Sequence, residues 1–189
     1  MHLRLYCDKI LTMRILAFAI FGIITLSSCS KQLTPFNQEM VREMNWNDED
    51  LERIQFYLSE NIILRREARS GDASIREGKI KVIKGRKVEE IVFQKGTPGV
   101  FLFSPNSKNV AIAFEEGEDR YLMFGPSPKF NNRYVLLAKD WKKHSGQITY
   151  DGKVYDTPSG SAFASLMVDL EKARKSTVRS RTAKGRTVR

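Results

Sequence analysis

From residue 61 to residue 155, apolar positions fall into short runs of β-branched and aromatic residues separated by turn signals. Such runs, with partial alternation of apolar and polar positions, are typical of β-strands. They recur roughly every ten residues, which favours a meander of antiparallel strands. The predicted strands are Ile62 to Leu64, Lys79 to Lys84, Lys87 to Gln94, Val100 to Ser104, Val110 to Glu115, Tyr121 to Phe124, Tyr134 to Ala138, Gln147 to Tyr150 and Lys153 to Tyr155.

Two details sharpen the β prediction. Asp151-Gly152, between the last two runs, is a strong signal for a two-residue β-hairpin. In the fifth run, Ala111 and Ala113 share the second face of the strand, because side chains alternate between faces. Small residues on that face predict close packing by another element, and we expect the terminal helices to supply it.

Helices are predicted at both ends of the β region. Asn47 is a suitable N-cap, since three acids fill the next positions, where they favour the helix dipole. Apolar residues at helical spacing then predict a first helix ending near Ser59 and a second from Ser161 to Lys175. Their stripes are Leu51, Ile54 and Leu58, and Phe163, Leu166, Met167 and Leu170. We therefore expect a mainly β (α+β) fold, a small antiparallel β-barrel or sandwich with an N-terminal and a C-terminal helix.

A hydrophobic leader precedes this domain. Residues 15–26 are twelve positions without a charge, and they follow Arg14 directly. A basic start and an apolar segment of about 7–15 residues are typical of a secretory signal, whereas a membrane-spanning helix needs about 20 apolar residues. Polar residues begin at Ser27. The leader therefore predicts export.

The end of the leader resembles the lipobox of bacterial lipoprotein signal peptides. That motif has Leu, two small residues and an obligatory Cys, and here Leu26, Ser27, Ser28 and Cys29 fill those places. The resemblance implies cleavage before Cys29, a diacylglycerol on its thiol and an acyl chain on the new amino end. Two or more acyl chains anchor a protein stably, whereas one does so only marginally. Within such lipoproteins Ser30, rather than Asp, after the Cys implies the outer membrane of a Gram-negative bacterium.

The chain divides into four parts on these grounds. Residues 1–28 form the signal peptide, and the compact leader that begins at Met13 indicates that Met13 is the true start. Residues 29–45 are polar, include Pro35, and are interpreted as a lipidated tether. Residues 46–175 form a single β-rich domain with flanking helices. Residues 176–189 are predicted to be a basic disordered tail.

Charge is concentrated at the ends of the chain. The formal net charge is +10, but residues 29–171 hold 21 basic and 21 acidic residues. Residues 172–189 hold eight basic residues and no acid. The folded body is therefore neutral, which argues against a nucleic-acid-binding surface. The tail is expected to meet anionic lipid or polysaccharide, or an envelope protein, and no nucleic acid is expected as a partner.

Catalytic and metal-binding motifs are weak in the mature part. His144 is its single histidine, which leaves no multi-histidine zinc site, and it is expected in a solvated turn. Acids adjacent in a strand point to opposite faces, and the later pairs lie around Gly117 in a predicted turn. Neither a catalytic residue, a metal site nor a cofactor is predicted. The acidic pairs are Glu89-Glu90, Glu115-Glu116 and Glu118-Asp119.

One loop stands out as a candidate binding site. Two prolines stiffen it, and an aromatic side chain lies beside two amides; binding residues gather on such loops over rigid scaffolds. Its candidate residues are Pro126, Pro128, Phe130, Asn131 and Asn132. We expect a lipid-anchored, non-catalytic envelope protein that binds a partner or supports an assembly. The alternatives are an envelope hydrolase that uses carboxylates from the strands, and an inhibitor or small-ligand carrier with an apolar cavity inside the barrel.

Overall fold

In the computed structural model, the described residues are 32–67, 79–83, 86–142 and 144–177, with only the backbone described for 79–83 and Arg86. They form a mainly β structure with two antiparallel sheets. The strands are β1 (Thr34–Pro35), β2 (Phe56–Leu58), β3 (Ile62–Glu67), β4 (Lys79–Ile83), β5 (Arg86–Phe93), β6 (Pro98–Asn106), β7 (Asn109–Ala113), β8 (Tyr121–Ser127), β9 (Arg133–Leu136), β10 (Ser145–Tyr150), β11 (Lys153–Pro158) and β12 (Leu166–Val168). The helices are α1 (Gln38–Glu43), α2 (Asp48–Leu51) and α3 (Leu170–Thr177), with 3₁₀ turns at Pro128–Phe130 and Ser159–Phe163.

The first sheet has seven strands in the order β1-β12-β2-β6-β7-β8-β9, and the second has five in the order β10-β11-β3-β5-β4. The chain passes between the sheets four times, after β2, β5, β9 and β11. The predicted barrel is wrong, because neither sheet closes on itself. Strand β9 pairs with β8 on one side. Beyond that ladder, isolated bridges join Asn37 to Arg133 and Val135 to Ser165.

The strand predictions are confirmed for every run, with shifts of a few residues at the ends. The hairpin prediction is confirmed too. Asp151 and Gly152 both have positive φ, 52° and 66°, as a type I′ turn requires. Tyr150 pairs with Lys153 across this turn, which sets the register of β10 and β11.

The first predicted helix is right at its start and wrong at its end. Asn47 caps α2 through a capping box, in which it accepts a hydrogen bond from the Asp50 N–H at 3.1 Å and donates its own N–H to Asp50 at 3.2 Å. The helix stops at Leu51, and Leu58 belongs to β2 instead. Leu58 is buried there, opposite Leu166 of β12.

The second predicted helix is wrong over most of its length. Residues 159–163 form a 3₁₀ turn, and Leu166 is buried in β12, which pairs with β2. The helix α3 begins only at Leu170. A helix places Leu166 and Leu170 on one face, but the same spacing also occurs where a strand ends and a helix begins. Periodicity alone therefore could not distinguish the two structures.

The predicted tether is partly wrong. Residues 34–45 belong to the fold, as β1, α1 and the turn that follows. Phe36 is completely buried, and its ring lies 4.7 Å from that of Tyr134 and 5.1 Å from that of Phe56. The polar composition of this segment did not indicate that Phe36 and Met40 are buried. The predicted signal peptide, Cys29 and residues 178–189 of the tail lie outside the described residues, while residues 176–177 end α3.

The core contains aromatic and aliphatic side chains from both sheets. Phe93 of β5 contacts Phe114 at 5.8 Å between ring centroids, and Phe114 contacts Phe124 of β8 at 6.1 Å. Tyr150 and Tyr155 of the second sheet are also almost fully buried. Among the described residues, none of the helices combines the length and apolar composition that a membrane span needs.

Candidate functional site

The predicted binding loop is ordered by its backbone. Pro126 lies at the end of β8, and Pro128 opens the 3₁₀ turn that contains Phe130. Asn131 and Asn132 both have φ of 53°, in the left-handed region that Asn tolerates better than most residues. The chain can therefore reverse within two residues to enter β9, which explains the two amides.

The structure brings a second aromatic residue to this loop. Phe130 meets Phe163 edge to face, with ring centroids 5.8 Å apart, and Phe163 is 61% exposed. The sequence placed Phe163 on a helical core stripe, which is wrong. The loop is also fixed to the start of α1, where the Gln38 N–H donates to the Asn132 carbonyl at 3.0 Å. An exposed aromatic pair on a fixed loop is a small candidate contact site.

A larger apolar surface crosses the outer face of the first sheet. The register of β6, β7 and β8 aligns Phe103 with Ala111 and Met123, and Val100 with Ala113 and Tyr121. Leu137 continues the first row, since its N–H donates to the Met123 carbonyl at 2.8 Å. We call this surface the apolar face; its residues are Val100, Phe103, Ala111, Ala113, Tyr121, Met123 and Leu137.

The apolar face combines buried small residues with exposed large ones. Ala111 and Ala113 are buried, while Phe103 is 39% and Val100 is 49% exposed. Phe103 and Tyr121 meet edge to face with ring centroids 5.2 Å apart. The two alanines are thus flanked by large side chains of β6 and β8, and the prediction that terminal helices pack over them is wrong. Clustered exposed apolar side chains on a sheet face mark interaction sites more often than scattered single ones do.

The apolar face continues into a groove of about 690 Å³ between β8 and β10. Apolar side chains line part of it, among them Tyr121, Met123, Leu137 and Ile148. Its polar lining residues are Asn109, Asp119, Lys139, Gln147 and Thr149. An apolar lining with a few polar groups is the usual composition of a recognition groove.

A second cleft, of about 490 Å³, lies against α2. Asp48 and Glu49 line it together with Trp46 and Tyr134. Asp48 accepts a hydrogen bond from the Ser104 hydroxyl at 3.1 Å, which fixes its carboxylate beside β6. The sequence analysis interpreted these acids only as first-turn residues, because their position beside a cleft depends on tertiary packing.

The acidic pair in β5 is engaged by basic side chains. Glu90 accepts a hydrogen bond from the Arg65 Nε at 2.7 Å, and Glu89 forms an ion pair with Arg66. In each pair the two residues lie directly opposite each other on β3 and β5. Both carboxylates are buried. Glu89 also accepts the Tyr155 hydroxyl at 3.3 Å. Both buried carboxylates thus have the polar partners that buried charges in folded proteins usually have.

The second acidic cluster is tied to the β10–β11 hairpin. Glu115 accepts the Tyr150 hydroxyl, and Arg120 lies 3.9 Å from Glu115 and 3.3 Å from Asp151. Glu115 and Asp151 are therefore held on either side of one guanidinium. Of the acids in this predicted turn, only Asp119 is among the residues that line the groove.

Three tyrosine hydroxyls have shifted acidity. Burial raises the pKa of Tyr134, and burial raises the pKa of Tyr150, with the neighbouring Glu115 adding to the effect. Burial also raises the pKa of Tyr155, again with a contribution from a carboxylate, Glu89. We call these three the buried tyrosines. Burial disfavours the phenolate in all three, and a nearby carboxylate adds to this effect for Tyr150 and Tyr155.

Metal-binding and histidine chemistry find little support in the described part of the chain. No group of three or more His, Cys, Asp or Glu side chains there could hold a metal ion. His144 is exposed, and its carbonyl accepts the Ser159 N–H at 3.0 Å. Its backbone thus has a structural role at the start of β10.

No family model, curated protein or solved structure matches the chain.

Proposed function

We propose that this chain is a lipoprotein of the bacterial cell envelope, anchored by acylated Cys29 and placed in the outer membrane of a Gram-negative bacterium. The support is the uncharged run 15–26, which ends in Leu26-Ser27-Ser28-Cys29. Ser30 after the cysteine favours the outer membrane, by resemblance to known lipoproteins. Membrane lipid is then the first partner of the protein.

The anchor is tested by intact mass and membrane fractionation of the protein from its native host. The native chain is expected to begin at Cys29, carry the mass of its acyl chains and sediment with membranes. A Cys29→Ser variant is expected to lose both properties. Ser27→Ala is the matched control and is expected to behave as the native chain, because the lipobox needs only a small residue at that place. A soluble native protein that retains residues 13–28 would refute the proposal.

The domain that this anchor holds is proposed to be a non-catalytic binding or assembly module. The observation that carries this proposal is the apolar face, on which Phe103 and Val100 remain 39% and 49% exposed beside Tyr121. Isolated soluble proteins rarely leave such surfaces uncovered. A partner protein that covers the face would remove these side chains from water.

The two sheets are proposed to pack face to face as a sandwich-like fold. The support is the chain of ring contacts from Phe93 through Phe114 to Phe124, which links β5 of the second sheet to β8 of the first. Such packing provides a rigid scaffold, on which an exposed face can bind without being rearranged.

The binding role is tested by site-specific photo-crosslinking in intact cells. A photoreactive residue in place of Phe103 is expected to yield one discrete adduct with an envelope protein. Glu60 is exposed on the turn between β2 and β3, and a probe there serves as the control. Met123→Glu should weaken the adduct, because it places a charge on the apolar face. Equal adducts from both probe positions would refute a specific site.

An envelope hydrolase is a second candidate, and the cleft at α2 favours it. Asp48 and Glu49 are adjacent carboxylates on its wall, and hydrolysis of glycosides uses two such acids. Turnover of a panel of chromogenic glycosides that is abolished in Asp48→Asn and Glu49→Gln, but not in Glu52→Gln, would support this candidate over the binding module. No turnover by the native protein on any of them would count against it.

A carrier of a small apolar ligand is the third candidate. The groove beside β10 has a volume in the range of small-molecule sites. Native mass spectrometry of protein purified from its own envelope would reveal a co-purifying ligand. Loss of that ligand in Ile148→Ser, with the fold intact by circular dichroism, would place it in the groove.

A further inference from the structure

The two sheets are connected along the edge where β8 of the first faces β10 of the second. At one end the Asp151 N–H donates to the Asp119 carbonyl at 2.9 Å. At the other end Lys139, three residues after β9, exchanges two backbone hydrogen bonds of 2.8 Å with Gln147. Asp119, Lys139 and Gln147 all line the groove described above, which therefore lies between the two connections.

Strand β10 presents one peptide unit without a partner to this groove. In an antiparallel ladder, the N–H and C=O of one residue point to the same side, and the side alternates along the strand. Gln147 bonds to Lys139, and Asp151 bonds to Asp119, both on the side away from β11. Thr149 lies midway between them, so its N–H and C=O point the same way. Neither group bonds to another residue that the structure describes.

Strand β8 presents a second such unit. Its Met123 carbonyl accepts the Leu137 N–H, so the backbone groups of Met123 point toward the chain of β9. Tyr121, two residues earlier, points its N–H and C=O to the same side. The chain beyond β9 pairs with β10 instead, through Lys139, and Asp140, with φ of 54°, then turns it away. In the described part of the chain, the Tyr121 backbone groups on this side therefore have no partner.

Tyr121 and Thr149 both line the groove, so two backbone donors and two backbone acceptors belong to its walls. Unpaired groups at strand edges bind other extended peptides, because a peptide supplies donors and acceptors at the same repeat. Met123 and Ile148 provide apolar lining for side chains of such a ligand.

The ends of the groove differ in charge. Lys139 lies at the connection to Gln147, and Asp119 lies at the connection to Asp151. Both are exposed, and neither forms an ion pair with another described residue. A ligand with a carboxylate at one end and an ammonium group at the other would complement them. A free peptide has this distribution of charge.

We propose that the groove binds a free peptide of two or three residues in extended conformation. Its backbone bonds to Tyr121 and Thr149, its carboxylate lies at Lys139 and its amino group at Asp119. The length follows from β10, on which only residues 148–150 lie between the two connections, a span of about 10 Å at about 3.4 Å per residue. The connections close both ends, which favours a free peptide over an internal segment of a protein. This inference rests on the proposed carrier function and names its ligand class.

The first experiment is native mass spectrometry of the full-length protein, purified from its own envelope in detergent. The probes are all free tripeptides that Ala, Val and Leu can form. One-to-one adducts are expected, and the peptide with the strongest adduct is then measured by calorimetry. Blocking both of its ends by acetylation and amidation should weaken binding about tenfold, because both terminal charges are lost. N-methylation of its peptide groups should abolish binding, because the donors are lost. No adduct with any tripeptide, or equal binding of the N-methylated form, would overturn the inference.

Matched variants test the two charged ends. Lys139→Gln and Asp119→Asn are each expected to weaken binding of that tripeptide about threefold. Lys142→Gln and Glu118→Gln are the controls, since both residues are exposed and lie outside the groove lining, and they should bind as the native chain does. An equal loss in controls and groove variants would show a general effect of charge and overturn the proposed orientation of the ligand.

Amide hydrogen exchange tests the backbone contacts directly. The Tyr121 and Thr149 N–H groups should exchange about tenfold more slowly in the presence of saturating tripeptide, as measured by NMR. The N–H groups of Leu122 and Tyr150 point into existing ladders and should be unchanged. Unchanged exchange at both Tyr121 and Thr149 would overturn the inference.

Three further outcomes separate this inference from the carrier function on which it rests. If a ligand without peptide groups co-purifies and Ile148→Ser releases it, the carrier function stands and the peptide inference is overturned. If the groove holds neither a co-purifying ligand nor a tripeptide, both fail. If a ten-residue peptide that ends in the best tripeptide binds equally well, the groove accepts a protein terminus, and the restriction to short free peptides is overturned.

Discussion

Phe36 provides a sharp test of where the folded domain begins. It is completely buried, stacks on Trp46, and lies within 5.1 Å of Phe56 and 4.7 Å of Tyr134 between ring centroids. Phe36→Ala would remove these contacts and leave a cavity. Substitutions of this kind cost about 3–5 kcal/mol, and aromatic pairs add about 0.5–1.5 kcal/mol beyond burial alone. We expect a loss of about 4 kcal/mol in the free energy of unfolding.

The assay is urea denaturation of residues 29–189 with Cys29→Ser, which removes the acyl chains from the measurement. A loss of about 4 kcal/mol is a large part of the roughly 5–15 kcal/mol that stabilises a typical domain. The melting temperature should fall by roughly 10 °C, and the urea dependence of the unfolding free energy should stay unchanged.

Phe163→Ala is the matched control for this prediction. Phe163 is 61% exposed, so the same change in side chain should cost under about 1 kcal/mol. If Phe36→Ala and Phe163→Ala cost the same small amount, residues 33–45 would not be packed in the domain. The assignment of β1 and α1 to the fold would then be refuted.

Three further predictions concern stability. Asn47→Ala should lower the free energy of unfolding by about 1 kcal/mol through loss of the capping box, while Asn47→Asp should preserve most of it; equal losses would argue against capping. Arg66→Met should lower the free energy of unfolding by about 3 kcal/mol, because it leaves the Glu89 carboxylate buried without its basic partner. In the same urea assay, the double variant Arg66→Met with Glu89→Leu should lose less than the single variant. Tyrosines of the unfolded chain ionise near pH 10, and burial raises the pKa of the buried tyrosines, so stability present below about pH 10 should decline as the pH rises above it. Urea unfolding between pH 8 and 11 checks this, and Tyr155→Phe should make the decline shallower.

Much of the second sheet was predictable because local signals were sufficient there. Asp151 and Gly152 specify a turn by their own backbone preferences, and the turn then fixes the register of the hairpin. The helix start at Asn47 is similar, since a cap needs only a side chain and the next few N–H groups. Features of this kind depend on neighbours in sequence.

The errors occurred where tertiary contacts decide the structure. Leu58 and Leu166 could equally have belonged to helices, and only their pairing with each other in β2 and β12 makes them strand residues. The burial of Phe36 likewise depends on Tyr134, almost one hundred residues away in sequence. Sequence spacing carries no information about such partners.

The candidate site shows the same division. The loop with Pro128 and Phe130 was found from composition, but its partner Phe163 was assigned to the core. The apolar face was missed because it exists only when the register of β6, β7 and β8 aligns Phe103 with Met123. Only Ala111 and Ala113 indicated this face in the sequence, and the prediction that terminal helices pack over them was wrong.

The position of the chain ends also determines how the domain would yield to force. Tension between an anchored Cys29 and a tail held elsewhere would first load the bond between Trp46 and Thr177, and then unwind α3. The antiparallel pairing of β1 with β12 would follow, and because the pull acts at adjacent ends, its hydrogen bonds would break one after another rather than together. The domain would thus open from the edge of its first sheet, before the hairpin of β10 and β11 in the second sheet is loaded.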